Sequence, residues 1–586
     1  MILFKELFKG ESSMAFDGIV TKAIASELKN LSGARIDKIF EPNKNNIIIG
    51  MYLNGINYAL NISIASGNYR INLTTHPKPN PKVAPNFCMV LRKHLLGLHL
   101  KNVITNNLER IVTIEFEGFD DIDDIITKKL IIELMGRHCN VILLDENNII
   151  IDSLRHINNE KANRIIVPHI KYTYPKINKV NLLDCSYNDF CKKISDENIS
   201  IPAKISNTFN GISKDYVSFI INYIGTDNLE IIYNYLLDII NRTDSLELKF
   251  NTNENNYFLI PSQNKNTEPF SLNFFIDDFY YKKESSQELK NYKDAVLKLI
   301  LSTFEKFKKR LNNMDAKLKE CENLEKYKLY GELITANLYK IPNKNIKEIT
   351  LENYYDNNKS IVIPLDDKYL PSINAKRFYK KYSKLKNTLE IVTIQKQETI
   401  SELQYLESII YELECCNSIE EISEILDELS ENELFKEKID SIRNKKKYEI
   451  KKSNLTKNKN ISFNPIKYRI NGFILLVGRN NKENDYLTLK YAKKTDLWFH
   501  TKDIHGSHAI LILNNKMPNS DILTKCAEIT AFHSKAKLSS NVPVDYCEVK
   551  YVKKPNKAKP GMVIYKNNYT IYVNPKDYNN YYIIKT

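Results

Sequence analysis

Apolar positions in three-four alternation dominate the middle of the chain. Leu297, Ile300, Phe304, Phe307, Leu311, Met314, Leu318 and Cys321 form one such seam. Phe378, Tyr382, Leu385, Leu389, Val392, Leu403, Leu406, Ile410 and Leu413 form a second in the same register, broken only by Lys396 and Thr399. This period lines the apolar members along one stripe of a helix, which needs a partner to cover it. Between the seams, Ile341 to Pro371 contains a strand-like stretch, Ser360 to Pro364. The simplest geometry is an antiparallel coiled-coil arm over residues 286–450, with an insertion at about 341–371. A helix from about Lys376 to Glu414 would reach roughly 60 Å. Two seams of similar length favour pairing within the chain; a parallel dimer is the other arrangement.

Before the arm the pattern is mixed. Ile19 to Leu31 has helical spacing, and Gly33 follows as a stop signal. Arg35 to Phe40, Asn46 to Leu53, Tyr58 to Ile64 and Tyr69 to Thr74 read as strands. After a proline-rich connector, Phe87 to Leu96 reads as helix, and strands resume at Val103, Ile111 to Phe116 and Val141 to Leu144. Asp123 to Ile132 reads as a charged, helix-like approach to the last of these. Residues 14–175 thus predict an α+β domain built on antiparallel sheet. Residues 176–285 predict short helices, with Phe209 to Ser213 as a glycine-bearing turn between two of them. Such a turn either points backbone amides at a phosphate or simply connects helices. From about Lys459 to 586 an α/β module follows. Its strands are expected at Phe473 to Val477, Tyr486 to Lys490, Ala509 to Leu513, Tyr546 to Val552 and Tyr569 to Val573. Its one clear helix spans Ile522 to Lys537, with Asp521 as N-cap.

Composition narrows the function classes. The chain has 586 residues, enough for several domains, and 42% are apolar, which argues against global disorder. The balance of 85 basic against 71 acidic side chains favours a polyanionic partner. Nine cysteines without a C-x-x-C pair point to a reducing compartment, away from zinc or disulfide frameworks. No apolar run approaches a membrane span, so the expected location is cytoplasmic, with no membrane partner. Phosphate-loop, dinucleotide, zincin and nucleophile-elbow motifs are all missing, and no nucleophile sits beside a base. The expectation is a protein that is not an enzyme and carries no cofactor or metal.

Two stretches hold candidate chemistry. Glu133-Leu134-Met135-Gly136-Arg137-His138 sets a carboxylate, a permissive glycine and an arginine fork on a turn beside a strand. Alone, the hexamer also reads as a sharp turn with a solvated ion pair. Asp496-Leu497-Trp498-Phe499-His500 and the run Thr501 to His508 crowd three histidines, two aspartates and the only tryptophan into thirteen positions. The spacing fits no metal motif and suits a surface that stacks and neutralises RNA. Lys550, Lys553, Lys554, Lys557 and Lys559 add a basic edge, or an ordinary solvated loop.

Several segments together carry a family resemblance. Met14 to Gly18, Phe87-Cys88-Met89, Leu91 to Leu95, Leu108-Glu109-Arg110, Glu133 to His138 and Ile151-Asp152-Ser153 resemble the amino-terminal NFACT domain. Tyr330 to Leu333, Thr335 to Tyr339, Asn353-Tyr354-Tyr355 and Phe378 to Tyr382 resemble the family's coiled-coil segment. Asp496 to His508, Ser534-Lys535-Ala536, Lys553-Lys554-Pro555 and Lys559 to Met562 resemble its RNA-binding NFACT-R domain. The chain is identified as a member of the NFACT family, in its RqcH-type group of bacterial ribosome quality-control factors, often labelled fibronectin-binding proteins. The resemblance implies a mixed amino-terminal domain, a helix-hairpin-helix domain, the coiled-coil arm and an α/β NFACT-R domain. It implies binding to stalled large (50S) ribosomal subunits carrying obstructed peptidyl-tRNA, recruitment of alanyl-tRNA, and messenger-free alanine tailing, with 23S rRNA and a small RqcP-type assisting protein as further partners.

By the same resemblance, tRNA-binding falls to Asp17, Glu109, Arg110, Glu133, Met135, Gly136 and Arg137. Candidate RNA-contacting residues are Asp496, Trp498, His500, Lys502, His508, Lys553 and Lys554. Glu109 departs from the family's aspartate by one methylene, and His505 stands where relatives commonly carry proline. Residues 1–13 match nothing in the family, so Met14 is the expected initiator. The amino-terminal fold is also similar to formamidopyrimidine-type DNA glycosylases, whose nucleophile is an amino-terminal proline. Ala15 stands there, so that chemistry is not expected. Two other readings remain: a surface adhesin, which requires export, and a coiled-coil scaffold without RNA.

Overall fold

The computed structural model describes residues 16–578, apart from 120–123, 159–163, 177, 196–198, 254–255, 264–269, 343–345, 451–462 and 557. The expected start at Met14, Ala15 and Lys557 lie outside the described residues. Contacts divide the chain into two units, residues 1–287 with 447–453, and residues 288–446 with 454–586.

In the first unit Asp17 opens helix α1 (Gly18–Leu28), whose apolar residues sink into the core. A nine-stranded antiparallel sheet follows: β1 (Arg35–Asn43), β2 (Asn46–Leu53), β3 (Ile56–Ser63) and β4 (Arg70–Leu73), then helix α2 (Asn86–Leu95). The sheet continues with β5 (His99–Thr105), β6 (Ile111–Phe119), β7 (Ile125–Glu133), β8 (Asn140–Leu144) and β9 (Ile150–Ser153). Its order is β4-β3-β2-β1-β5-β6-β7-β8-β9, two meanders joined where Arg35 pairs with His99. Asn54 and Gly55 both take positive φ at the β2–β3 turn, which matches the twist of a tight hairpin. The expected helix-like approach at Asp123 to Ile132 is instead strand β7. Leu130 and Ile132 face the main core while Ile131 faces a second cluster with Ile111, Ile142, Leu144 and Ile166. A strand covered on both faces loses its alternation, which is why the sequence read as helix.

Helices α3 (Tyr187–Lys193), α4 (Ile201–Thr208), α5 (Lys214–Ile224) and α6 (Leu229–Ser245) complete the unit, with a hairpin of β10 (Leu248–Asn253) and β11 (Asn256–Pro261). Phe209 to Ser213 is the connection between α4 and α5. The next helix, α7 (Ser271–Cys321), begins in this unit, well before residue 286. Its first amides, at Leu272 and Asn273, are capped by the buried carboxylate of Glu27 at 3.1 and 2.9 Å.

The second unit holds the rest of α7, α8 (Leu324–Ala336), the hairpin β12 (Glu348–Asn353) and β13 (Lys359–Pro364), α9 (Pro371–Cys415), α10 (Ile419–Leu429) and most of α11 (Glu433–Ile450). Contacts between α7 and α9 run in opposite senses. Lys293 reaches the Glu414 carbonyl, Met314 meets Thr399, and Cys321 meets the Leu385 carbonyl. The two polar interruptions lie on this contact: Lys396 pairs with Asp315 at 2.7 Å, and Thr399 is buried against Met314. Leu389 departs from the expected seam and is exposed.

The carboxy-terminal module comprises β14 (Ile466–Ile470), β15 (Phe473–Val477), α12 (Asn481–Tyr486), β16 (Leu497–Thr501), β17 (Ala509–Ile512), α13 (Ser520–Phe532), β18 (Val542–Glu548), β19 (Val552–Lys553), β20 (Ile564–Tyr565) and β21 (Tyr569–Val573). Its six-stranded sheet has the order β14-β15-β17-β16-β18-β21. Tyr486 to Lys490 was expected as strand, but it ends α12 and passes into a wider helical turn, with Leu487 and Thr488 both buried. Likewise β18 ends at Glu548, and residues 549–551 form a tight turn. The N-cap of α13 is Asn519, which accepts from the Ile522 amide at 3.0 Å, so Asp521 sits inside the first turn.

Candidate functional site

Three segments far apart in sequence meet at the amino-terminal end of α1. Asp17 caps the helix, its carboxylate accepting from the Val20 amide at 3.0 Å. Its other oxygen accepts from the Ser213 hydroxyl at 3.1 Å, and Ser213 is itself the N-cap of α5. The Gly18 amide donates to the Gly211 carbonyl at 2.8 Å, and Gly211 takes φ +73° directly beneath Leu108. Only glycines fit here: a Cβ on Gly18 would stand 2.0 Å from the Leu108 carbonyl oxygen and 2.6 Å from the Gly211 Cα.

Arg110 leaves this junction with its backbone carbonyl bonded to the Leu134 amide and its guanidinium donating to the Tyr69 hydroxyl at 3.2 Å. It pairs with no described carboxylate, yet its charge acts on Asp17, Tyr69, Cys139 and Lys179. A fork so held is suited to accept a phosphate or carboxylate from outside. Glu109 is half-buried beside it, its carboxyl raised by burial and lowered by a bond from Asn106. Tyr69 carries no site signal in the sequence, and Ser213, the last residue of the glycine-bearing turn, shows there no sign of its bond to Asp17, 196 positions away.

Burial pushes the Asp17 carboxyl up to about 6 from its ordinary 3.8, against Val20, Ser213 and Arg110, which pull it down. The folded state therefore holds this proton more tightly than the unfolded chain does. The resulting stability is complete below pH 3.8 and is lost as pH rises through about 6, a swing of about 3 kcal/mol. We expect the melting temperature of the parent to fall relative to Asp17→Asn between pH 4 and 6 and to run parallel above pH 7. Parallel curves throughout would show that this carboxyl does not titrate there.

The hexamer divides between two faces of the sheet. Glu133 is fully buried on the face of the second cluster, where it accepts from Arg164 at 2.5 Å and from the Tyr172 hydroxyl at 2.8 Å. It is therefore a buried structural pair rather than a solvated one, and it does not join Asp17 and Arg110. Met135 packs on the same cluster. Gly136 takes φ +59° and opens a short turn over Gly136–His138. Arg137 lies on that turn, and its side chain is outside the described set.

The carboxy-terminal constellation is mostly core. Trp498 is fully buried, stacked on His500 at 5.6 Å and edge-on to His508 at 5.3 Å. Burial pushes His500 down to about 4 and His508 down to about 3, so both are neutral near pH 7. His508 also bonds the Thr488 hydroxyl at 2.9 Å. Asp496 is buried and accepts from the Lys493 and Leu513 amides at 2.9 and 3.0 Å. These residues shape the domain, whereas Lys502 and Lys553 are exposed. Lys554 is tied to Asp485. Clusters of aromatic and histidine residues look alike in sequence whether they form a core or a stacking surface.

Residues 17–449 match the model described as NFACT N-terminal and middle domains, and residues 461–567 match the NFACT protein RNA binding domain. The Rqc2 homolog RqcH of Bacillus subtilis (strain 168) is 32% identical over 96% of this chain and 98% of that protein. The Rqc2 homolog RqcH of Streptococcus suis (strain 05ZYH33) is 33% identical over 96% of this chain and 99% of that protein. The solved amino-terminal part of the fibronectin/fibrinogen-binding protein from Streptococcus suis is 29% identical, covering 46% of this chain and 100% of that one with a TM-score of 0.39. Among the described residues no helix is long and apolar enough to cross a membrane. With both domain models in place and RqcH relatives aligned almost end to end, the chain belongs to the NFACT family.

Proposed function

We propose that this chain is a ribosome-associated quality-control factor that binds stalled large (50S) subunits still carrying obstructed peptidyl-tRNA. It recruits alanyl-tRNA and directs messenger-free addition of alanine to the carboxy terminus of the nascent chain, marking it for degradation. Peptide bonds form in the ribosome's own peptidyl-transferase centre, so the chain acts by binding and positioning and is not itself an enzyme. The observation that carries this reading is the correspondence with RqcH relatives over 98–99% of their length. The junction around Arg110 supplies its physical content: a cationic fork with no described ion-pair partner, fixed in the sheet by Leu134 and Tyr69. Here Asp17 and Glu109 set the fork's surroundings, and Arg137, on the Gly136–His138 turn, is the second cation of this reading. 23S rRNA and a small RqcP-type protein are the further partners in this reading.

The test is recovery of tRNA with large subunits from cells expressing tagged variants. Arg110→Ala and Arg137→Ala are expected to reduce co-isolated tRNA and alanine tails at least about tenfold, the loss typical of one charge-assisted contact or more. Their thermal unfolding should match the parent. Normal tRNA recovery with either variant would refute these roles.

A further inference from the structure

The two ends of the carboxy-terminal sheet differ in how their cations are used. At one end lie the carboxy-terminal ends of β15 and β16 and the start of β17. There three cations and the His505 imidazole are engaged by carboxylates, while Lys502 stands exposed. Arg479 pairs with Glu483 at 3.1 Å, Lys482 with Glu431 at 2.7 Å, Lys559 with Glu402 at 2.8 Å and His505 with Glu407 at 3.2 Å. Glu402 and Glu407 belong to α9, and Glu431 lies just beyond α10. The bonds of Lys559, His505 and Lys482 thus fasten the module to the helices, while the Arg479–Glu483 pair lies within the module.

The opposite end is different. It holds the start of β16 and the carboxy-terminal ends of β17 and β18, since Leu497 pairs with Leu511 and with Glu548. Three loops converge there on Asp496. Its carboxylate takes the Lys493 amide and the Leu513 amide, and its carbonyl accepts from the Val549 amide at 2.9 Å. The Lys550 amide in turn donates to the Lys494 carbonyl at 3.2 Å. The loops so gathered carry Lys493 and Lys494, Lys516, and Lys550, all exposed. The first three pair with no described carboxylate, and Lys550 shares the solvent-facing Glu548 at 2.7 Å. Tyr491, 48% exposed, stands at the edge of the same loop.

We propose that this lysine-bearing end of the sheet is the surface by which the carboxy-terminal module grips the phosphate backbone of RNA, with Asp496 as the positioning residue that holds the three loops together. Lysines offer point charges without a base-reading fork, so the grip is independent of sequence. The inference rests on the reading of the chain as an RNA-handling factor and assigns that activity to lysines that the motif resemblance did not reach.

The experiment measures binding of the full chain to deacylated bulk tRNA across a series of salt concentrations. Each phosphate contact adds a little under one to the slope of log K against log salt. Lys493→Gln/Lys494→Gln/Lys516→Gln should weaken binding about tenfold or more at 0.1 M salt and flatten the slope by about 2 to 3. Lys482→Gln/Lys559→Gln at the opposite end should leave the slope unchanged. An unchanged slope in the triple variant overturns this surface while leaving the proposed function standing. A parent chain that binds no RNA overturns both.

Discussion

Gly18→Ala is expected to destabilise the first unit by about 3–5 kcal/mol and to lower its melting temperature by roughly 10 °C. The added Cβ meets the Leu108 carbonyl oxygen at 2.0 Å and the Gly211 Cα at 2.6 Å. Both obstacles are backbone, so no rotamer change relieves them, and three chain segments must part. Gly211→Ala should be as severe. Its Cβ would stand 2.1 Å from the same carbonyl, and its φ of +73° adds the left-handed penalty of about 1–2 kcal/mol. Gly136→Ala is the control: φ is +59° but nothing lies within 4 Å, so only that smaller penalty applies. Thermal unfolding of the three variants tests the ordering. Equal losses at all three positions would mean that the junction yields easily and is not a tight contact.

The second large effect is expected at Glu133. Glu133→Ala removes the acceptor for both Arg164 and Tyr172 and leaves a guanidinium without its buried partner. Breaking such a pair from one side costs about 3–5 kcal/mol, whereas replacing both partners by apolar side chains often costs far less. Glu133→Leu/Arg164→Leu should therefore recover much of the stability that Glu133→Ala loses. Chemical denaturation of the single and double variants decides the matter. If Glu133→Ala unfolds like the parent and loses only tRNA binding, then the carboxylate serves the ligand and not the fold.

How much could be read in advance depended on how local each signal was. The stripes on α7 and α9 announced themselves because each repeat is carried by neighbours three and four positions apart. Even there Leu389 faces outward, a detail fixed by where the partner helix runs. Strand β7 was misread because a run covered on both faces carries no alternation, and Tyr486 to Lys490 because alternating apolar residues also suit a helix end buried from two directions. The turn at Gly136 was legible from its glycine, but the fate of Glu133 was not, since Arg164 lies 31 residues away. Asp17 and Ser213 are separated by 196 positions, and no periodicity connects them. Trp498 and His508 were assigned to a surface because residue type alone cannot distinguish a stacking platform from an aromatic core. Asp496 mattered for another reason than expected: it gathers loops and does not face out.

The Ser213 hydroxyl has two duties: it receives the Tyr216 amide at the start of α5 and donates to Asp17 at the start of α1. One oxygen atom is thus the keystone of two arches. Its removal by Ser213→Ala loosens both rods at once, and combining it with a change at Asp17 should cost less than the two losses added together.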